Sequence, residues 1–304
     1  MSTYPTPDQA PGGFHPLRKA IATTLWLIAR SVEVVVATIT DLGGLLIEWV
    51  SSLGDVVLFS LRAMGWLFTR IPRAETLLPN FYQIGVLSLP VVALTGTFIG
   101  MVLSVQSYAT FHMFGLESRL GAVICMTLVR ELGPVLAGTM LAGRVGSAMA
   151  ANLGTMRVTE QIDALTSIGA SPIHYLVVPR FLACLILIPM LTVMADFMGV
   201  VGGFFYSIVV LKIDSHHYWD NAQRFVGNFD LFSGIFKSFF FGSAIALISC
   251  YQGFHCQAGA EGVGRAATAA FVYSFIVILV LDLFLGISLD HIYFMIWPEN
   301  SRLL

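Results

Sequence analysis

Five stretches of the chain, at roughly 84–107, 120–153, 174–210, 231–256 and 265–289, are almost continuously apolar. A hydrocarbon core ~30 Å thick takes about 20 apolar residues of helix, so the pattern predicts five membrane helices. The second and third run to about 35 residues, or ~50 Å at 1.5 Å per residue, and must tilt, kink or project beyond the lipid. Pro134, Pro179 and Pro189 are the candidate kink sites.

The region from 18 to 70 is also apolar, but Arg30, Glu33, Asp41, Glu48, Asp55, Arg62 and Arg70 interrupt it too often for a lipid-spanning helix. Interfacial helices suit it better. In SLGDVVLFSLRAMGWLFTR, Leu53, Val57, Leu61, Met64 and Phe68 recur at helical spacing, while Asp55, Arg62 and Arg70 form a polar side and Trp66 suits the headgroup level. A sixth span at 21–40 is the alternative. Residues 1–16, rich in Pro and Gly, read as a disordered tail with no secretory signal. The expected organisation is an extension at 1–49, an interfacial helix and lead-in at 50–82, a permease-like bundle at 83–290 and a tail at 291–304.

Composition makes the membrane reading firm: 57% of residues are hydrophobic and 11% charged, against about 25% charged in an ordinary soluble domain. The net charge of −2 is uninformative about partners, and without a basic run that would track phosphates a nucleic-acid partner is set aside. With a cytoplasmic N-terminus, Arg18, Lys19, Arg30, Arg62, Arg70, Arg73, Arg157, Arg180 and Arg265 lie inside, against Arg119, Lys212, Arg224 and Arg302 outside. That excess sets N-inside and C-outside. Cys125, Cys184, Cys250 and Cys256 show no metal-ligand spacing and read as helix-packing residues. Five spans do not divide into two inverted halves, which weakens a secondary-transporter reading.

Between the second and third spans, on the cytoplasmic side, RVTEQIDALTSIG forms an amphipathic helix at 157–169. Val158, Ile162, Leu165 and Ile168 make its apolar stripe. Thr159 is its candidate N-cap, and Gly169 with Pro172 ends it. Lipid-lying helices carry Lys and Arg on their polar face, whereas Glu160, Gln161 and Asp163 are acidic or amide-bearing. A protein partner fits better.

The runs GTFIGMVLSVQSY (96–108), LVRELGPVLAGTMLAGRVGSAMAANLGTMRVTEQIDAL (128–165) and VPRFLACLILIPMLTV (178–193) resemble the MlaE/YrbE family of lipid-transport permeases, over about residues 50–290. The resemblance implies a bacterial inner-membrane permease, homodimeric, that moves phospholipid or a related lipid to or from an MCE-domain protein. It also implies that Arg157, Val158, Glu160, Gln161, Ile162, Asp163, Leu165 and Ile168 couple the permease to a cytoplasmic ABC ATPase, on which a small regulatory subunit is a further candidate. This chain has no GxxxxGKS or GxxxxGKT run; GAEGVGRA at 259–266 lacks the phosphate-gripping Lys. ATP and Mg are therefore expected on the partner chain, with no cofactor here.

Ionisable groups inside a bilayer cost at least ~2.5 kcal/mol each unless paired or wet. Arg130, Glu131, Lys237 and Asp282 balance in charge and form the predicted network, with Glu131 to Lys237 its main contact; Asp196 has no assigned role. A polar gate and an interhelical brace fit the network equally. Gly96 with Gly100, and Gly199 with Gly203, predict close helix approach or a dimer seam. Leu103, Val105, Tyr108, Phe111 and Phe114 are the candidate lining of a lipid cavity. KIDSHHYWD, with Asp214, His216, His217 and Asp220, reads as a solvated outer loop and not a metal site. No catalytic arrangement stands out, so the chain is expected not to be an enzyme. Two rival functions use the same residues: an ion-coupled secondary transporter working through Glu131, Lys237 and Asp282, and a non-transporting membrane scaffold.

Overall fold

The computed structural model describes residues 50–67 and 74–296, with isolated positions between 37 and 47. The expected tail at 1–16, the interfacial helices before 50 and residues 297–304 lie outside the described residues, as does nearly all of the alternative span at 21–40. Two compact units divide the chain, residues 1–58 and 59–304.

The described residues form helices and no strand, as alternation-free apolar runs require. Six helices are long and apolar enough to cross a membrane: α1 (Val50–Leu67), α2 (Ala74–Met113), α3 (Leu120–Val158), α5 (Ile173–Val209), α7 (Asn228–Phe254) and α8 (Ala260–Ile296). The short α4 (Gln161–Ser167) and α6 (Ser215–Phe225) connect them. The chain is an all-α polytopic membrane protein. The five predicted spans are all present, and α1 is the segment expected at the interface.

In α1 the expected apolar stripe faces outward: Leu53, Val57, Leu61 and Met64 are all exposed. Within the second unit, Phe59 and Ala63 are buried instead. The Phe59 ring meets Tyr251 and Phe254 of α7, each at 5.7 Å, and Trp66 lies 5.3 Å from His174. In a membrane chain, helical spacing alone does not separate a lipid-facing stripe from a packed one, since both are apolar.

The centre of the second unit is α3 and α5, whose most apolar windows are 56% and 61% buried, against 17% for α8. Leu141, Ala142 and Val145 of α3 meet Ala183, Cys184 and Ile188 of α5 and Phe241 and Ile245 of α7 in one core. On α8, Val272, Ile276, Leu279, Leu283 and Ile287 are exposed, a surface suited to lipid.

The glycine pairs act within the chain. A Cβ on Gly96 would lie 2.6 Å from the Ala195 carbonyl, and one on Gly100 would fall on the Gly199 carbonyl. Ser104 Oγ ties the same crossing by donating to Gly203 O at 3.1 Å. These glycines are consumed by the α2–α5 contact and do not form a free seam.

Two of the three prolines act as expected. Helical turns widen into π turns at Leu128–Leu132 and Ile173–Val177, just before Pro134 and Pro179, because proline has no N–H for the carbonyl four residues earlier. Pro189 lies inside the continuous helix Val178–Val209.

The predicted outer loop is in fact α6. Asp214 accepts a hydrogen bond from the His216 amide at 3.0 Å and caps it. Tyr218 is fully buried with Leu120, Ile124 and Leu128, so α6 seals the first turns of α3. Burial pushes the Tyr218 phenol above its ordinary value, and the nearby Cys125 adds to the shift.

Candidate functional site

Lys237 of α7 is 1% exposed, and its ammonium meets two carboxylates: Glu131 Oε2 of α3 at 2.9 Å and Asp282 Oδ1 of α8 at 3.0 Å. The predicted main contact is present. Pro134 leaves the Arg130 carbonyl without its α-helical donor, and Lys237 Nζ reaches that oxygen at 3.5 Å. One cation thus joins three helices. Arg130 turns away from this group and pairs with Asp290, near the end of α8, which the sequence reading had placed beyond the last span. With Asp290 included, the cluster is acidic overall instead of neutral.

The second acid changes an expectation. Had Glu131 been the sole partner, removing it alone would harm the protein more than removing both members of the pair. Because Asp282 remains, Glu131→Gln is expected to be mild, within about 1 kcal/mol for a half-exposed carboxylate. Adding Lys237→Met to it strands Asp282 and should lower the unfolding temperature in detergent further; equal temperatures for single and double variants would contradict the three-group arrangement.

Asp196 of α5 is buried, and its Oδ1 has no hydrogen-bond partner among the described residues. It packs on the bare backbone of Gly133, where any Cβ would overlap Oδ1. Gly133→Ala is therefore expected to destabilise the protein, and Asp196→Ala to recover part of the loss; thermal unfolding of the four members of that cycle measures the coupling.

The helix expected on the cytoplasmic side differs in its boundaries from the sequence reading. Helix α3 continues through Arg157 and Val158, and Thr159 closes it, its Oγ1 donating to Thr155 O at 2.8 Å. Glu160 then takes a left-handed conformation (φ 59°) and α4 begins at Gln161; Thr159 is not the N-cap. A non-glycine residue there costs roughly 1–2 kcal/mol, so nothing in the residue types announces the break. Gly169, at φ 79°, ends the element as expected.

This turn also divides the predicted stripe. Ile162 is buried and Leu165 half-buried against Leu153, Leu176, Val177 and Cys250, whereas Val158 lies at the surface and Ile168 is 77% exposed. Glu160, Gln161 and Asp163 are exposed as predicted. Arg157 Nη1 binds Asp163 Oδ1 at 2.5 Å and braces the turn.

The candidate cavity residues do not surround one space. Leu103, Tyr108 and Phe111 pack on Leu120, Ile124 and Tyr218, while Val105 and Phe114 face outward. An aromatic run at helical spacing visits both faces of α2, and only the inner one was going to be packed. The described residues also hold no group of His, Cys, Asp or Glu arranged for a metal.

A helical bundle with a salt-linked interior and an anchored polar helix at one end defines a polytopic membrane protein. The chain belongs to the MlaE permease family, whose model, "Permease MlaE", matches residues 77–287. It is 43% identical over 234 residues to "Probable ABC transporter permease protein" of Rickettsia felis, covering 77% of this chain and 90% of that one. It is 33% identical over 253 residues to "Intermembrane phospholipid transport system permease protein MlaE" of Haemophilus influenzae, covering 79% and 97%. A probable ABC transporter permease of Synechocystis is 41% identical over 217 residues, covering 71% and 82%.

Proposed function

We propose that this chain is the membrane subunit of an ABC transporter that moves phospholipid between the inner membrane and an MCE-protein conduit, acting as a homodimer and driven by a separate ATPase that carries ATP and Mg. The observation that carries the reading is the two-sided character of α4. Ile162 and Leu165 anchor it to the bundle, while Glu160, Gln161, Asp163 and the apolar Ile168 face outward together. An exposed apolar residue on a segment whose polar groups are acidic or amide suits a protein groove better than an anionic leaflet. The name of the Haemophilus relative supports phospholipid as cargo.

Helix α1 fits an interfacial place in this scheme. Phe59, Ala63 and Trp66 all make their contacts at the end of the bundle that holds α4, as a helix lying along that boundary does.

Co-purification tests the coupling. The ATPase is expected to accompany the intact protein and to be lost from Glu160→Lys combined with Ile168→Asp, neither of which touches the internal anchor. Asp163→Lys also breaks the pair with Arg157, so Arg157→Asp with Asp163→Arg serves as the control that restores a local ion pair. ATPase binding that survives the Glu160 and Ile168 changes would remove the docking role from α4.

A further inference from the structure

Arg144 is half-buried in α3, and among the described residues no carboxylate lies within ion-pair distance of it. Lys237 has two, and Arg130 and Arg157 have one each. Its Nη1 donates to Ser88 Oγ at 2.5 Å and to the Gln83 carbonyl at 3.5 Å. Ser88, fully buried, passes its own proton to Ile84 O at 2.5 Å. These contacts hold the guanidinium in place but leave its charge uncompensated, and Nε and Nη2 have no acceptor among the described residues. The six residues that join α1 to α2, FTRIPR, add two arginines and no acid.

Arg144 borders a cleft of about 150 Å³ between α2 and α3. Asn80 and Gln83 of α2 line it together with Arg144, and Leu87, Val145 and Met149 supply apolar lining. Water's share of liquid volume is about 30 Å³ per molecule, so the cleft admits a group of several heavy atoms. A cation and two amides beside an apolar wall match a group that is anionic at one end and greasy at the other.

The depth of the cleft agrees. From Leu120 to Arg144 is 24 residues of α3, or ~36 Å, which carries the helix across a hydrocarbon core ~30 Å thick. With Leu120 at the outer boundary, Arg144 reaches the inner one, and the rest of α3 projects toward α4. Gln83 lies near the start of α2, the end that enters from the same side.

We propose that Arg144, with the Gln83 side chain beside it, binds the phosphate of a phospholipid at the inner-leaflet boundary, and that the cleft takes the first part of its acyl region. Guanidinium binds phosphate through its paired donors, and the Nε–Nη2 edge is the one left open. This docking place is separate from the Lys237 network, whose Glu131 lies 13 residues nearer the outer end of α3, or ~20 Å along it. The inference rests on the membrane orientation and lipid cargo proposed above.

The test is lipid retention by the purified full-length chain in detergent, titrated with dioleoylphosphatidylglycerol, dioleoylglycerol or inorganic phosphate and read by native mass spectrometry. Wild type should retain the phosphatidylglycerol, with R144Q weaker by about 10-fold or more, as loss of a charge-assisted contact implies. R144K should fall between them, and G264A, which lies on α8 with nothing near its added Cβ and does not line the cleft, should stay near wild type. Dioleoylglycerol, lacking phosphate, should bind all four proteins equally weakly. Equal retention by wild type and R144Q, or equal binding of the two lipids by wild type, overturns the site. Tight capture of inorganic phosphate without lipid retention overturns the lipid source. If R144Q loses its fold by size exclusion, R144K against wild type decides: equal affinities for phosphatidylglycerol overturn the proposal. Retention needs neither nucleotide nor ATPase, so its loss with ATPase docking intact counts against this site alone, and the reverse counts against the coupling role of α4.

Discussion

Replacing Lys237 with methionine is expected to remove most of the folded protein from the membrane fraction. The side chain is 1% exposed and is the common partner of Glu131 and Asp282, so its loss leaves the half-exposed Glu131 unpaired and the mostly buried Asp282 without its cation. Breaking a buried ion pair from one side costs about 3–5 kcal/mol, a large part of the 5–15 kcal/mol that holds a typical domain together. Extraction yield and unfolding temperature in detergent measure the effect. The triple variant Glu131→Gln, Lys237→Met, Asp282→Asn keeps the volume without the charges, and it should recover a monodisperse protein. It also separates brace from gate: a recovered fold with lost lipid transfer places the charges on the path, while recovered transfer leaves them a structural role. Lys237→Met at wild-type stability would mean that the three helices do not depend on this junction.

The second large effect is expected at the crossing of α2 and α5. Overpacking costs about 1–3 kcal/mol where side chains can yield. At Gly100 the obstacle is the Gly199 backbone, which cannot rotate away, so Gly100→Ala belongs at or above the top of that range and Gly100→Leu should not assemble. Gly264→Ala is the matched control. It lies in α8 with nothing within 4 Å of its would-be Cβ, and replacing a helical glycine there should stabilise by up to about 1 kcal/mol. If both alanine variants unfold at the same temperature, the close approach is not what sets the crossing.

The sequence carried the spans and the Lys237–Glu131 contact for one reason: in lipid, an apolar run must be helical and a buried charge must find an opposite one. Asp290 escaped because the last span was drawn to end before it, and a charge near a helix terminus looks solvated until its partner is seen. The coupling segment was half legible. Ile162 and Leu165, three residues apart, share the packed side of α4, but Val158 belongs to the preceding helix, and the left-handed Glu160 resets the rotation between them. In α1 and in the run from Leu103 to Phe114, apolar character marked lipid-facing and packed positions alike, so the sequence could place the helices and not turn them. Helix α6 was hidden by its polar residues, since Tyr218 and Ala222 alone are buried among its described residues and one such pair is too short to read as a period.

Helix α3, from Leu120 to Val158, is a strut ~58 Å long whose inner end is held through the Arg157–Asp163 clasp to α4. A strut transmits a push along its axis and yields where its hydrogen-bond ladder is widened. Helix α3 is widened twice, at Leu128–Leu132 and at Ala142–Gly146, and those two turns carry Arg130 with Glu131 and Arg144 respectively. The points where the rod can flex are the points where its charges sit. Under the proposed coupling, a load applied at α4 reaches Arg144 first and the Lys237 junction second, which orders any movement of the bundle from the α4 end.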